Sequence, residues 1–196
     1  HPEVATTLNN LGVLYSELGR DAEAEPLHLR ALAIHEAAFG PDHPDVATNL
    51  TNLGVLYSRL GRYAEAEPLV DRAILISDNT GRSPESRTMI YGTKASLSWT
   101  LGDLASAISA LEESLRSLEA LRPNVGSDDE FRAGFMEGYD WHFDLMVSAQ
   151  LEAGEPEVAL NWLERGRARV LLDQLAEAQI DLRSSIPAAE LEPLEA

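Results

Sequence analysis

Apolar residues recur along the first part of the chain at alternating spacings of four and three. Val4, Leu8, Leu11, Tyr15 and Leu18 follow this rhythm, which predicts an amphipathic helix with those side chains on one face. Gly19 supplies a left-handed stop. Asp21 is placed to cap a second helix, whose apolar face reads Ala24, Leu27, Ala31 and Ile34. The pair then returns. His1-Pro2-Glu3-Val4-Ala5-Thr6 reappears as His43-Pro44-Asp45-Val46-Ala47-Thr48, Leu8 to Tyr15 as Leu50 to Tyr57, and Ala22 to Leu27 as Ala64 to Leu69, each at an offset of 42. Three blocks at one offset mark a duplicated helical pair, the sign of a repeat array. Pro44 and Asp45 suit the first turn of a helix. Pro26 and Pro68 break the pattern about five residues into the second helix of each unit, which predicts a kink or a late start there.

The later half keeps the plan with more drift. Ser83-Pro84-Glu85 reads as a cap and first turn, and Ile90, Lys94, Leu97 and Leu101 lead to Gly102. Asp103 is placed to cap a helix carrying Ala107, Leu111, Leu115 and Leu118. Residues 122–126 read as a loop. Ser127 and Glu130 have capping-box spacing, and a long helix is expected from there to Ala153, closed by Gly154. Glu155-Pro156-Glu157 opens another, reaching about Ala178. The units run 1–42, 43–82, 83–126 and a divergent 127–183, with a tail at 184–196.

The pattern resembles the tetratricopeptide repeat. Its core positions appear as Leu8, Leu11-Gly12, Tyr15, Ala24 and Ala31, again as Leu50, Leu53-Gly54, Tyr57, Ala66 and Ala73, then as Tyr91, Ala95 and Ala107. The fourth unit carries Phe143, Val147, Ala159 and Gly166. The standard repeat is about 34 residues long; the 42-residue spacing and the Leu-Asn-Asn-Leu-Gly block resemble the kinesin-light-chain-like variety. The resemblance implies an all-α fold, a right-handed superhelical solenoid of four helix-turn-helix units with a longer last pair. Stacked pairs then share one continuous core. A second resemblance lies at Leu163 to Asp173, which is similar to the segment joining such repeats to a caspase-like CHAT domain in bacteria. It implies a regulatory arm of a protease whose His/Cys dyad lies elsewhere.

In such an array the first helices line the concave surface. Their non-core residues are the groove candidates: Thr6, Asn9, Val13 and Ser16, then Thr48, Thr51, Asn52, Val55 and Ser58, then Met89, Gly92, Ser96 and Trp99, and finally Trp141, Asp144 and Ser148. Asn and Thr side chains bond a peptide backbone with little demand on its sequence. The family resemblance implies this role for Asn9 in particular, although Thr51 stands at the equivalent place of the second unit and no Asn ladder continues. The tryptophans serve either as ligand anchors or as packing between repeats. Arg165 and Arg169 share a helix face and suit a docked acidic partner or domain, or local ion pairs.

Charge narrows the partner. The chain of 196 residues has 33 acidic against 15 basic side chains, a formal net charge of −18. Phosphate backbones and anionic membranes are bound by clustered Lys and Arg, so neither nucleic acid nor membrane is expected. A basic or neutral protein or peptide is. No cysteine is present, which removes disulfides, thiolate metal sites and a cysteine nucleophile from these residues. His28 and His35 are seven apart and lack further ligands at metal spacing. Asp128-Asp129-Glu130 reads as helix-start chemistry rather than a cation loop. No nucleotide loop or nucleophile elbow is found. The expectation is a cytoplasmic, non-enzymatic interaction scaffold without cofactor. Self-association through exposed end repeats is an alternative. Since His1 is not Met, a piece of a longer chain is expected.

Overall fold

Two compact units divide the chain, His1–Pro123 and Asn124–Ala196. The computed structural model describes residues 1–121 and 140–177, with side chains described as far as Arg167. Helices are the only regular elements among the described residues. The first unit holds α1 (Pro2–Glu17), α2 (Asp21–Phe39), α3 (Pro44–Arg59), α4 (Tyr63–Thr80), α5 (Pro84–Thr100) and α6 (Leu104–Leu121). The second unit holds α7 (Asp140–Glu152) and α8 (Pro156–Glu177).

Local chemistry sets the breaks. Gly19 and Gly61 both take φ 71, a conformation that costs glycine nothing and an L side chain about 1 kcal/mol or more. Pro44 and Pro84 open α3 and α5, where a missing backbone donor is harmless. His43 Nδ1 accepts the Asp45 N–H at 3.2 Å, Ser83 Oγ that of Ser86 at 3.5 Å, and Asp103 Oδ1 that of Ser106 at 3.1 Å.

Pairing follows chain order. α1 packs on α2, α3 on α4 and α5 on α6, while α2 meets α3 and α4 meets α5. One core cluster joins Ala24, Leu53, Leu56, Tyr57, Ala66, Val70 and Leu97. A second joins Val46, Ala47, Leu50, Ala73, Ile76 and Ile90, and Leu32, Leu69 and Ile74 are packed against both. Each cluster crosses a repeat boundary, so burial is shared between neighbours rather than completed within one pair.

Several expectations are corrected. α2 and α4 begin at Asp21 and Tyr63, so Pro26 and Pro68 lie inside helices that do not start late. Each proline forfeits one ladder hydrogen bond near a helix start, and packing outweighs that loss. Asp21 is the first helical residue and caps nothing; its carboxylate lies 3.5 Å from Arg59 Nη2. In α1 the buried residues are Ala5, Asn9 and Gly12, whereas Val4 and Leu11 are exposed, as is Leu18 just past its end. At Val4 and Leu11 the stripe read from the sequence is an inter-repeat face, whereas Leu18 corresponds to Leu60, which is 41% exposed within the array and is no core position. Val46 and Leu53, at the same places in α3, are fully buried against α2 and α4. The capping box at 127–130 and the tail from 184 lie outside the described residues.

Candidate interaction surface

The first helices α1, α3 and α5 run side by side, α1 against α3 and α3 against α5. Their outward positions fall in columns set by the repeat. Thr6, Thr48 and Met89 form one, Val13, Val55 and Ser96 the next, and Ser16, Ser58 and Trp99 the third. Thr6, Val55, Met89 and Ser96 are exposed, and Val13, Ser16, Thr48, Ser58 and Trp99 are half-buried. Gly92, expected among them, is buried. Ser58 Oγ donates to the Gly54 carbonyl at 2.8 Å and Thr93 Oγ1 to the Met89 carbonyl at 2.8 Å. Each hydroxyl proton is thereby spent within its own helix, and the oxygen keeps lone pairs for an incoming N–H. Thr48 Oγ1 accepts from Arg82 Nη2 at 2.9 Å while the same guanidinium bonds the Pro44 carbonyl at 2.7 Å. Burial lowers the pKa of that arginine, and it ties α3 to the start of α5.

Two groove candidates are elsewhere. Asn9 is 7% exposed and Thr51 is 0% exposed; both point into the junction between helices rather than to a ligand. Thr51 Oγ1 donates to the Ala47 carbonyl at 2.8 Å. Asn9 is the hub of a buried polar network. Its Oδ1 accepts from Asn49 Nδ2 at 2.9 Å and from Asn52 Nδ2 at 3.0 Å, and His28 Nδ1 faces it at 3.1 Å. Asn49 Oδ1 in turn lies 2.6 Å from His35 Nδ1. Both acceptors are amide oxygens, so both imidazoles carry their proton on Nδ1. Burial holds the His28 pKa below the usual histidine range. His28 lies over Gly12, where a Cβ would come within 2.7 Å of its ring. The second junction has Val70 over Gly54 in the same relation. Asn52 is half-buried because its amide serves this network.

A clamp that periodicity did not reveal closes the same boundary. The Arg62 guanidinium lies 4.0 Å from the Tyr57 ring centroid, grips Glu65 through two bonds of 2.7 Å, and reaches Glu25 of α2 at 2.9 Å and 3.0 Å. Tyr57 donates its hydroxyl to Glu25 at 3.0 Å. Burial and that carboxylate raise the Tyr57 pKa. The sequence signal is the recurrence of Tyr15, Arg20 and Glu23 as Tyr57, Arg62 and Glu65. Further on, Tyr91 donates to both Asp78 oxygens at 3.0 Å, and burial followed by that bond pushes its pKa up to about 12.

In the second unit Trp141 and Asp144 are exposed, and the Asp144 carbonyl accepts from Ser148 Oγ at 2.9 Å. Trp141 lies against His142 with centroids 3.7 Å apart. Trp162 is half-buried beside Phe143, and the Arg165 guanidinium covers its ring at 4.2 Å. Gly166 lets α8 approach Phe143, with 3.5 Å to a built Cβ. The Arg169 side chain lies outside the described residues. Among the described residues no group of three or more His, Asp or Glu is placed to hold a metal ion, and no helix is long and apolar enough to cross a membrane.

Comparison with known proteins supplies the family. Two family models, each a tetratricopeptide repeat, match residues 3–79 and 90–117, together more than half of the chain. No curated protein matches. Among solved structures, BtubC (BKLC) from P. vanneervenii superposes with a TM-score of 0.70 at 20% identity, over 88% of this chain. This chain spans 66% of that protein's length. The TPR-like repeats of a kinesin-light-chain-type protein from Podosopora anserina superpose with a TM-score of 0.56 at 20% identity, covering 89% of this chain and 97% of that one. A point variant of those repeats gives 0.55, again at 20% identity, with coverage of 91% and 98%. At these identities the likeness is one of fold. Repeats of this kind mediate protein–protein interaction and typically serve as non-catalytic scaffolds. The matched residues cover the helical pairs α1 to α4 and most of α5 and α6, and the chain belongs to the tetratricopeptide-repeat family.

Proposed function

We propose that this chain is a non-catalytic interaction scaffold that binds an extended peptide or protein segment across α1, α3 and α5. One observation carries the reading. The three outward columns contain no ionisable side chain, in a chain of net charge −18. They combine apolar contacts at Val13, Val55, Met89 and Trp99 with hydroxyls at Thr6, Thr48, Ser58 and Ser96, while the Ser16 hydroxyl is buried. Such a surface loses little by desolvation when a neutral segment covers it, and Ser58 offers an oxygen whose own proton is already engaged. The acidic body draws basic residues flanking that segment and speeds encounter at low salt.

The test is selection of binders from a displayed peptide library, followed by Val55→Asp and Ser96→Asp. Each variant is expected to weaken selected peptides about tenfold or more by burying an unpaired charge. Leu75→Asp on α4, where Leu75 is 64% exposed, is expected to leave binding unchanged. Loss with Leu75→Asp and retention with both others would refute the assignment of this face.

A further inference from the structure

The two internal boundaries of the first unit are sealed by different chemistry. Gly61 and Gly102 set the third helical pair on the second at an offset of 41, so that Val46, Leu50 and Leu53 of α3 correspond to Arg87, Tyr91 and Lys94 of α5. The three α3 residues are 0% exposed and belong to the two core clusters. Their counterparts meet carboxylates instead. Lys94 Nζ lies 2.7 Å from Asp71 and 3.4 Å from Glu67, both on α4. Arg87 reaches Asp78 of α4 at 2.6 Å and Glu113 of α6 at 3.7 Å, and its guanidinium lies 5.1 Å from the Tyr91 ring centroid. Tyr91 shares the Asp78 carboxylate.

Exposure decides what this exchange does. The Arg87 and Lys94 side chains are 26% and 16% exposed, and their four acids 33–50%. Ion pairs this close to water are weak and are screened by salt, whereas aliphatic contacts are not. The first boundary has ion pairs too, Arg62 with Glu25 and Arg59 with Asp21, but they border an aliphatic seal rather than replace it. At the second boundary apolar contact is kept by Ile90, which shares a core cluster with Val46, Ala73 and Ile76, and by Leu97, which shares one with Ala66 and Val70. These two residues hold one edge of α5 while charges hold the rest.

We propose that the boundary between α4 and α5 is an electrostatic hinge: α5 and α6 pivot together about Ile90 and Leu97 when salt screens the Arg87 and Lys94 pairs, while the boundary between α2 and α3 stays closed. The pivot shifts Met89, Ser96 and Trp99 of α5 relative to Thr48, Val55 and Ser58 of α3, so ionic strength sets the shape of that face. Both boundaries are internal to the first unit, and the hinge does not depend on the partner proposed above.

The chain has no cysteine, so introduced cysteines take spin labels at chosen places alone. One labelled pair, Leu75→Cys with Glu112→Cys, spans the hinge from α4 to α6. A control pair, Leu29→Cys with Leu75→Cys, spans the first boundary from α2 to α4. All three positions are exposed. Distances between labels are read by pulsed electron paramagnetic resonance. Raising NaCl from about 0.1 M to about 1 M shortens the screening length from about 10 Å to about 3 Å. The fraction of molecules with a longer α4–α6 distance should rise roughly tenfold, the scale of two partly exposed ion pairs, with α2–α4 distances unchanged. Arg87→Gln with Lys94→Gln should give the longer distances already at low salt. Arg87→Val with Lys94→Leu, which installs the α3 residues, should show no lengthening at either salt. Circular dichroism and the unchanged control pair confirm that the variants fold. An α4–α6 distance indifferent to salt would overturn the proposal, as would lengthening that persists in the Arg87→Val, Lys94→Leu variant. Equal changes at both boundaries, in either direction, would assign the effect to general repulsion in a chain of net charge −18 and overturn it as well.

Discussion

Replacing Asn9 by alanine separates the two internal junctions sharply, because equivalent positions of the two repeats use opposite chemistry. Asn9 Oδ1 serves three donors, on Asn49, Asn52 and His28. Two of the three residues, Asn49 and His28, are each 1% exposed, so their donors reach no water once the oxygen is gone. An orphaned buried polar group costs about 1–3 kcal/mol. Two of them, with the half-buried Asn52 relaxing to solvent, make Asn9→Ala destabilising by about 3 kcal/mol. Thr51→Ala, at the corresponding place, removes a hydroxyl that only donates back to its own helix. The Ala47 carbonyl still has its helical partner, alanine is the better helix former, and the expected cost is below about 1 kcal/mol. Urea unfolding followed by circular dichroism gives the two differences. Because repeat arrays need not unfold in one step, hydrogen exchange of α2 and α3 amides supplies the local value. Equal effects at the two positions, within about 0.5 kcal/mol, would refute the claim that Asn9 organises the junction.

Other outcomes follow from the same contacts. His28→Val places at Gly12 the residue that the second junction already uses over Gly54; combined with Asn9→Thr it should recover part of the loss seen with Asn9→Ala, read from the same unfolding curves. Gly12→Ala and Gly54→Ala put a methyl within 2.7 Å of His28 and 2.6 Å of Val70, and each should cost about 1–3 kcal/mol by overpacking despite the better helix propensity. Stability should also fall with acid in a window set by His28. Its folded pKa is depressed by burial, so the unfolded chain binds the proton first. The stabilisation is complete above about pH 6.5 and is lost as pH falls from there through the folded value. Thermal melts between pH 7.5 and 5 should show that slope, and His28→Val should flatten it. A slope unchanged in the variant would assign the effect to other groups.

Much of the fold was legible because repetition is a property of the sequence itself. The 42-residue offset placed α1 to α4 together with the Gly19 stop and its equivalent Gly61, and Ser83 and Asp103 marked the starts of α5 and α6 through capping chemistry. Burial within α1 was not legible. Val4 and Leu11 have the right period for a core face, but that face is filled only by a neighbouring helix, and Leu18 keeps the period without being core, since its equivalent Leu60 is exposed in the array. Asn9 looked like a groove residue because local spacing says nothing of Asn49 and Asn52, which meet it from the next repeat. A faint signal existed in His28 and His35, two polar residues one above the other on a face that otherwise carries Ala24 and Ala31. The Glu25 clamp was hidden for the same reason: its partners are 32 and 37 residues away.

The central claim is that the uncharged face of α1, α3 and α5 receives the partner. A hydrogen-exchange footprint of the chain with a library-selected peptide bound tests it most directly. The expected result is slowed exchange in α1, α3 and α5, strongest around Val55 and Ser96, with α2, α4 and α6 unchanged. Protection confined to α2, α4 and α6, with the first helices unaffected, would contradict it.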